Sequence, residues 1–192
     1  MDAGFPEGLT YVPEFLSEAA SKALADALDA DEWDQTLKRR VQHFGYRYDY
    51  RARSVETDAY LGPLPDWLAT VAQRLVCEGH FHHAPDQVIA NEYWPGQGIS
   101  AHVDCVPCFG GSIVSLSLLS PCEMIFRNPE TGDRRFVMLQ PGALLKMEGP
   151  ARYQWTHEIP ARLADTVHGE RRLRGRRLSL TFRNVTLGEN PT

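Results

Sequence analysis

The feature that most constrains the fold is a change of pattern at Gln87. Beyond it the chain breaks into short runs that suit strands: QVIANEY, SIVSLSLL, EMIFR, RRFVML, ALLKME, YQWTHEI and RLSLTFRNV. Turn residues punctuate them at Pro95–Gly96, Gly110–Gly111, Pro129 with Thr131–Gly132, and Pro141–Gly142. Proline and glycine supply the backbone angles that tight reversals need. So many closely spaced short strands call for two packed sheets, either a double-sheet jelly roll or a sandwich. Periodicity does not choose between the two.

Ahead of the strands, Ser17 to Ala30 place Ala20, Ala23, Leu24, Ala27 and Leu28 on one helical face, with Ser17 where an N-cap belongs. Pro65 to Cys77 reads as a second helix with Trp67, Leu68, Val71 and Leu75 as its buried stripe. Proline suits a helix's first turn because it has no N–H to leave unpaired. Helices followed by strands give an α+β, mainly β, class. No repeat or linker divides the 192 residues, which predicts one domain over 1–192.

The net charge of −5 argues against a protein that coats nucleic acid through bulk electrostatics. Charge is nevertheless concentrated in KRRVQHFGYRYDYRAR, from Lys38 to Arg53, where only Asp49 opposes the basic side chains. Such a strip fits a nucleic-acid partner held at one site, or a solvated surface. The four cysteines are too few and too unevenly placed for a disulfide framework, so a reducing, cytoplasmic setting is expected. Cys105 and Cys108 are read as free thiols, since a single such pair is a weak zinc signature. No apolar run is long enough to span a bilayer and the start lacks a secretory pattern, so no membrane partner is expected.

His102 and Asp104 stand two apart in ISAHVDC. On an extended segment they point to the same side, so imidazole and carboxylate can converge on one ion. His157, in YQWTHEI, is the third candidate, on a strand whose Tyr153 and Trp155 alternate with it on one face. Two histidines and one carboxylate are the set that binds non-haem Fe(II) and leaves positions open. His43, His80, His82, His83 and His168 fall at a helix end or in loops and make poorer ligands.

In RRLSLTFRNV, Arg177, Ser179, Thr181 and Arg183 alternate with Leu178, Leu180 and Phe182. The two arginines share the polar face and stand roughly 20 Å apart along an extended chain. With each guanidinium reaching inward, the gap is about that of a five-carbon diacid, and arginine is the natural clamp for a buried carboxylate. Asn91 and Tyr93 also share a face, and amide and phenol are good donors to carboxylate oxygens.

The ordered set of Asn91 and Tyr93, His102 and Asp104, His157, and Arg177 with Arg183 resembles the AlkB family of Fe(II)/2-oxoglutarate dioxygenases. The runs RRVQHFGY, NEYWPGQGI, ARYQWTH and LTFR look closest to a branch containing the dioxygenase domain of a larger tRNA-modifying protein. The resemblance implies a double-stranded β-helix of the jelly-roll kind, with a core over 87–185 and N-terminal helices packed on one sheet. It implies Fe(II) held by His102, Asp104 and His157, with O2 and 2-oxoglutarate as cosubstrates. Asn91, Tyr93, Arg177, Ser179 and Arg183 are then the 2-oxoglutarate contacts. It further implies a nucleotide-recognition lid over 37–60, with Arg40, Tyr46, Tyr48 and Arg127 as substrate contacts. The implied substrate is RNA or single-stranded DNA, dealkylated at an N-methylated base such as 1-methyladenine or 3-methylcytosine, and a monomer is expected. The alternatives are hydroxylation of a modified tRNA base and a metal-binding jelly-roll module without catalysis. Val106 departs from the acidic residue that repair members carry at that position, and no cysteine follows Cys122 to form the tRNA-modifying relative's zinc site.

Overall fold

The computed structural model describes residues 4–56, 58–167 and 169–187. In chain order the elements are β1 (Leu9–Val12), α1 (Glu18–Asp29), β2 (Arg40–Phe44), α2 (Asp66–Cys77), β3 (Gln87–Tyr93), β4 (Ile99–His102), β5 (Ile113–Leu118), β6 (Cys122–Arg127), β7 (Arg134–Leu139), β8 (Leu144–Met147), α3 (Gly149–Tyr153), β9 (Thr156–Ile159), β10 (Ala164–Val167), β11 (Glu170–Leu173) and β12 (Arg177–Arg183). They build a six-stranded sheet in the order β1-β8-β5-β12-β3-β2 and a four-stranded sheet in the order β4-β9-β6-β7. β10 and β11 form a separate two-stranded ribbon.

β12 organises the larger sheet. It pairs antiparallel with β3, setting Ser179 opposite Asn91, and with β5, setting Ser179 opposite Ser117. Because side chains alternate, Leu178, Leu180 and Phe182 face one way and Arg177, Ser179, Thr181 and Arg183 the other. The apolar set is fully buried with Val88, Ala90, Val114 and Leu116 beneath α1 and α2. Truncating Leu180 to alanine there is expected to cost about 2–5 kcal/mol. A second cluster, including Ile113, Met124, Phe126, Leu139, Leu145 and Ile159, fills the space between the two sheets. The architecture is therefore mainly β and of the jelly-roll kind, with the N-terminal helices on one sheet, as expected.

Local chemistry explains the helix limits. The Ser17 hydroxyl accepts from the Ala20 N–H at 3.2 Å and caps α1. The buried stripe of α1 is Ser21, Leu24, Ala25 and Leu28, so its inner face is rotated from the expected one and Ala23 is exposed. Pro65 is the N-cap of α2, and Leu68, Val71, Ala72 and Leu75 are buried. Trp67 is half-buried and packs edge-on against Phe44, with ring centroids 5.5 Å apart.

Two expectations need correction. YQWTHEI is not one strand: Tyr153 ends α3, a short helix with proline in its first turn, and β9 starts only at Thr156. Tyr153 and Trp155 therefore do not share a strand face with His157. Within the segment 37–60, β2 forms an edge strand paired to β3. Cys105 and Cys108 are not free thiols; their Cα atoms stand 5.3 Å apart and the sulfurs form a disulfide. A three-residue separation within a turn brings the two side chains together without any larger framework. Among the described residues, no helix is long and apolar enough to cross a membrane.

Candidate functional site

Strand register brings the two histidines together. His102 ends β4 directly opposite His157 in β9, and their ring centroids lie 4.3 Å apart. Gly98, in the turn before β4, makes that pairing possible. A Cβ there would meet the Ile159 carbonyl oxygen at 2.1 Å, so only glycine lets the turn lie against β9. Asp104 follows β4 in an unpaired segment rather than on the strand itself. Ligand atoms of His102, Asp104 and His157 all fall within 4.8 Å of one another, the only such cluster among the described residues.

The electrostatics suit metal ligation. The His102 Nδ1 lies 2.7 Å from the Ser100 carbonyl oxygen. That contact places its proton on Nδ1 and leaves Nε2 as the lone-pair donor. Burial and the adjacent His102 push His157 down to about 4, against the attraction of Asp104, so its ring is neutral at physiological pH. Burial alone would raise the Asp104 carboxyl. Arg183, His157, His102 and Arg152 outweigh it and hold the group well below the usual carboxylate range. A charged carboxylate and two imidazoles on one side of a cavity match the donor chemistry of non-haem Fe(II).

The cavity beside them has a volume of about 1010 Å³ and opens between the two sheets. Its floor is the polar face of β12 with Asn91 and Tyr93 of β3. Arg177, 3% exposed, donates from Nη2 to the Ser117 hydroxyl at 2.9 Å, while its Nε and Nη1 are buried without partners. Its guanidinium carbon sits 5.4 Å from the Tyr93 ring centre. Arg183 donates from Nη2 to Asp104 Oδ1 at 2.9 Å, and its Nε is likewise unpartnered. Orphaned donors on buried arginines are costly unless a ligand satisfies them, and a dicarboxylate supplies the missing acceptors. The residues present thus fit both the metal and 2-oxoglutarate.

The structure brings together all eight residues read as ligands or cosubstrate contacts: His102, Asp104, His157, Asn91, Tyr93, Arg177, Ser179 and Arg183 line one cavity. The substrate residues divide. Tyr48 lines the cavity and packs against Phe109, with ring centroids 5.6 Å apart. Arg40 does not reach it. The β2–β3 register sets Arg40 opposite Glu92 on the helix side of the sheet, where it donates to that buried carboxylate. Tyr46 packs on Tyr60 outside the cavity wall, and Arg127 is exposed at the end of β6. His168 lies outside the described residues.

Three lining residues, Lys38, Arg39 and Arg53, were not singled out by sequence reasoning. Arg39 donates from Nε to Asn91 Oδ1 at 2.9 Å and lies over the Tyr50 ring, whose phenol also faces the cavity. Lys38 and Arg53 complete a basic and aromatic rim. The signal was present, since Lys38, Arg39 and Arg53 all belong to the basic strip.

Comparison with known proteins agrees with this geometry. A model of the 2OG-Fe(II) oxygenase superfamily matches residues 8–183. The mouse protein named tRNA (carboxymethyluridine(34)-5-O)-methyltransferase ALKBH8 is 38% identical over 96% of this chain and 29% of its own length. The Arabidopsis thaliana protein named alkylated DNA repair protein ALKBH8 homolog is 35% identical over 93% of this chain and 58% of its own length. The chain thus spans from under a third to somewhat over half of these relatives. Among solved structures, that of OsALKBH1 superposes with a TM-score of 0.68 at 18% identity, covering 94% of this chain and 98% of that one, a likeness of fold. With its His-Asp-His cluster and arginine-floored cavity, the chain belongs to the 2OG-Fe(II) oxygenase superfamily, and within it to the AlkB family.

Proposed function

We propose that this dioxygenase oxidises a substituent on a nucleobase of RNA presented as a single strand, with a modified tRNA base as the preferred target. The observation that carries the reading is the rim of the cavity, where Tyr48 and Tyr50 stand beside Lys38, Arg39 and Arg53. Aromatic faces stack bases and the cations hold phosphate, a combination suited to a flipped or unpaired nucleotide. The volume of about 1010 Å³ leaves room for a nucleoside beyond the cosubstrate. The tRNA named in the mouse relative supports the choice of polymer, although its methyltransferase name describes a protein more than three times as long as the matched region.

When bound, Fe(II) supplies the redox chemistry that couples decarboxylation of 2-oxoglutarate to insertion of one oxygen of O2 into a substrate C–H bond. The protein's own groups do the positioning. Arg177, steadied by Ser117, holds the distal carboxylate of the cosubstrate. Asn91 and Tyr93 present an amide and a phenol to its other oxygens. Arg183 holds the Asp104 carboxylate through Oδ1, within a cluster whose ligand atoms lie within 4.8 Å of one another. Tyr48 and Tyr50 line the same cavity and shield the reacting carbon from water.

A second reading is oxidative dealkylation of an N-methylated base such as 1-methyladenine or 3-methylcytosine, favoured by the repair activity in the plant relative's name. The two readings differ in product. Incubation with Fe(II), 2-oxoglutarate and total tRNA should add one oxygen to a nucleoside, detected by mass spectrometry without formaldehyde. Formaldehyde released from methylated oligonucleotides, with tRNA nucleosides unchanged, would transfer the assignment to dealkylation. Neither product from either substrate would refute a nucleobase target.

A further inference from the structure

Arg152 is the most deeply buried charged side chain near the site that the scheme above leaves without a task. It lies in α3, five positions before His157, and is 2% exposed. Its Nη1 donates to the Asp104 carbonyl oxygen at 3.0 Å and its Nη2 to the Cys105 carbonyl oxygen at 3.2 Å. Its Nε is buried without a partner, and its guanidinium carbon lies 4.9 Å from the Tyr153 ring centre. Among the described residues it forms no ion pair. A buried guanidinium without a paired carboxylate is a costly way to fill space, since an apolar side chain of similar size would pack there without that penalty. Its presence points to something that the planar, forked donor does and an apolar side chain does not.

The backbone of the ligand segment shows what that is. His102 and His157 are held by the β4–β9 ladder, but Asp104 and Cys105 lie past the end of β4 and have no strand partner. Among the described residues, only Arg183 hydrogen-bonds the Asp104 side chain. Two successive carbonyls of this unpaired segment converge on one fork, and that fork stands on the residues that lead into β9. Arg152 thus connects the segment bearing the carboxylate to the element bearing His157.

We propose that Arg152 is a positioning residue of the metal centre, fixing the main chain at Asp104 so that the carboxylate keeps its distance from the two imidazoles. The inference rests on reading His102, Asp104 and His157 as the ligand set. Lysine at this position retains charge but can satisfy only one carbonyl well, and methionine fills the volume while satisfying neither.

The test is anaerobic metal titration of the full chain, with Fe(II) followed by competition and Co(II) by its visible spectrum, which reports ligand number and geometry. Arg152→Met is expected to weaken metal binding by about 10–100-fold, as losses of outer supporting groups do, and to alter the Co(II) spectrum. Arg152→Lys should fall between it and the parent. Gln42→Ala serves as the destabilised control, because Gln42 is also buried and donates to the Leu28 carbonyl on the far side of the larger sheet. It should lower the melting temperature without moving metal affinity. A folded Arg152→Met protein with affinity within about twofold of the parent and an unchanged spectrum overturns the proposal. If that variant does not fold, Arg152→Lys decides: parental affinity, or failure to fold as well, overturns it. A parent chain that binds neither metal refutes the ligand set itself, an outcome separate from any effect of Arg152.

Discussion

Arg183 and Asp104 meet across the mouth of the sandwich, with the guanidinium Nη2 2.9 Å from the carboxylate Oδ1. The contact joins the last strand to the segment bearing the metal ligand and leaves the second carboxylate oxygen free. Without Arg183, the first of the charges that oppose burial is gone and the Asp104 carboxyl should rise from its depressed position, so protons would compete with metal at higher pH. The native depression keeps the ligand ionised down to well below the ordinary carboxylate range, and that advantage disappears only as pH falls through its lowered value. Arg183→Gln should therefore lose metal affinity by about 10–100-fold, and more at mildly acidic than at neutral pH. Fe(II) titrations at both pH values check this. A loss that is the same at both would show that Arg183 does not act through the ionisation of Asp104.

Arg177 carries an opposite expectation for affinity and stability. Two of its nitrogens are buried without partners, so the ligand-free protein bears the cost of an unsatisfied cation. Arg177→Met should leave the melting temperature unchanged or raised. It should also raise the KM for 2-oxoglutarate by about 10–100-fold, the loss expected when a charged hydrogen bond of about 1.5–3 kcal/mol disappears. Thermal melts and cosubstrate titrations on one preparation decide it; a lower melting temperature with unchanged KM would place Arg177 in the scaffold instead.

These two arginines were legible in the sequence because β12 alternates strictly and is buried on both faces, so period two maps directly onto helix side and cavity side. The same register carried Ser179, Asn91 and Tyr93 with it. Arg40 failed for a related reason. Neighbouring residues of an extended chain face opposite ways, and in KRR it is Arg39 that reaches the cavity while Arg40 meets Glu92. The run through Tyr153, Trp155 and His157 imitates a strand in its spacing, but Gly149 and Pro150 start a helix within it. Arg152 was not legible at all, because its partners are main-chain carbonyls 47 and 48 positions away and any residue type could have supplied them.

His43 gives the ligand-free protein a pH dependence that does not involve the metal ligands. It lies on β2, with its ring centroid 5.8 Å from that of Tyr50 and its Nδ1 3.5 Å from the Tyr48 amide. Burial and the nearby Arg47 lower it to about 4, with Arg183 and Arg39 also facing it and only Asp34 opposing. A histidine depressed in the native state binds its proton first in the unfolded chain. Its contribution to stability is full above about pH 6.5 and is lost as pH falls toward about 4. Discounted for partial exposure, the loss is on the order of 2–3 kcal/mol. His43→Gln should flatten the fall in urea-unfolding free energy over that window. An undiminished slope would exclude His43 as its source.

The aromatic pair Tyr48 and Tyr50 allows the clearest separation of substrate binding from chemistry. Tyr48 and Tyr50 stand edge to face with ring centroids 5.1 Å apart, and Tyr48 leans on Phe109 beside the Cys105–Cys108 bridge. Neither phenol is engaged in holding the metal ligands, so shortening them should spare cosubstrate and metal. If a base stacks on this wall, each lost aromatic face costs about 1–3 kcal/mol of binding, or roughly 5- to 150-fold in KM for the nucleic acid. Tyr48→Ala should show that rise while slow decarboxylation of 2-oxoglutarate without substrate continues at the parental rate. Tyr46→Ala is the internal comparison, because Tyr46 packs on Tyr60 away from the cavity and should leave the KM unchanged. Equal effects from Tyr46 and Tyr48 would mean that the segment contributes through its fold alone. A KM that rises only for Tyr48 places the substrate base against the Tyr48 ring, in the cavity that also holds His102, Asp104 and His157.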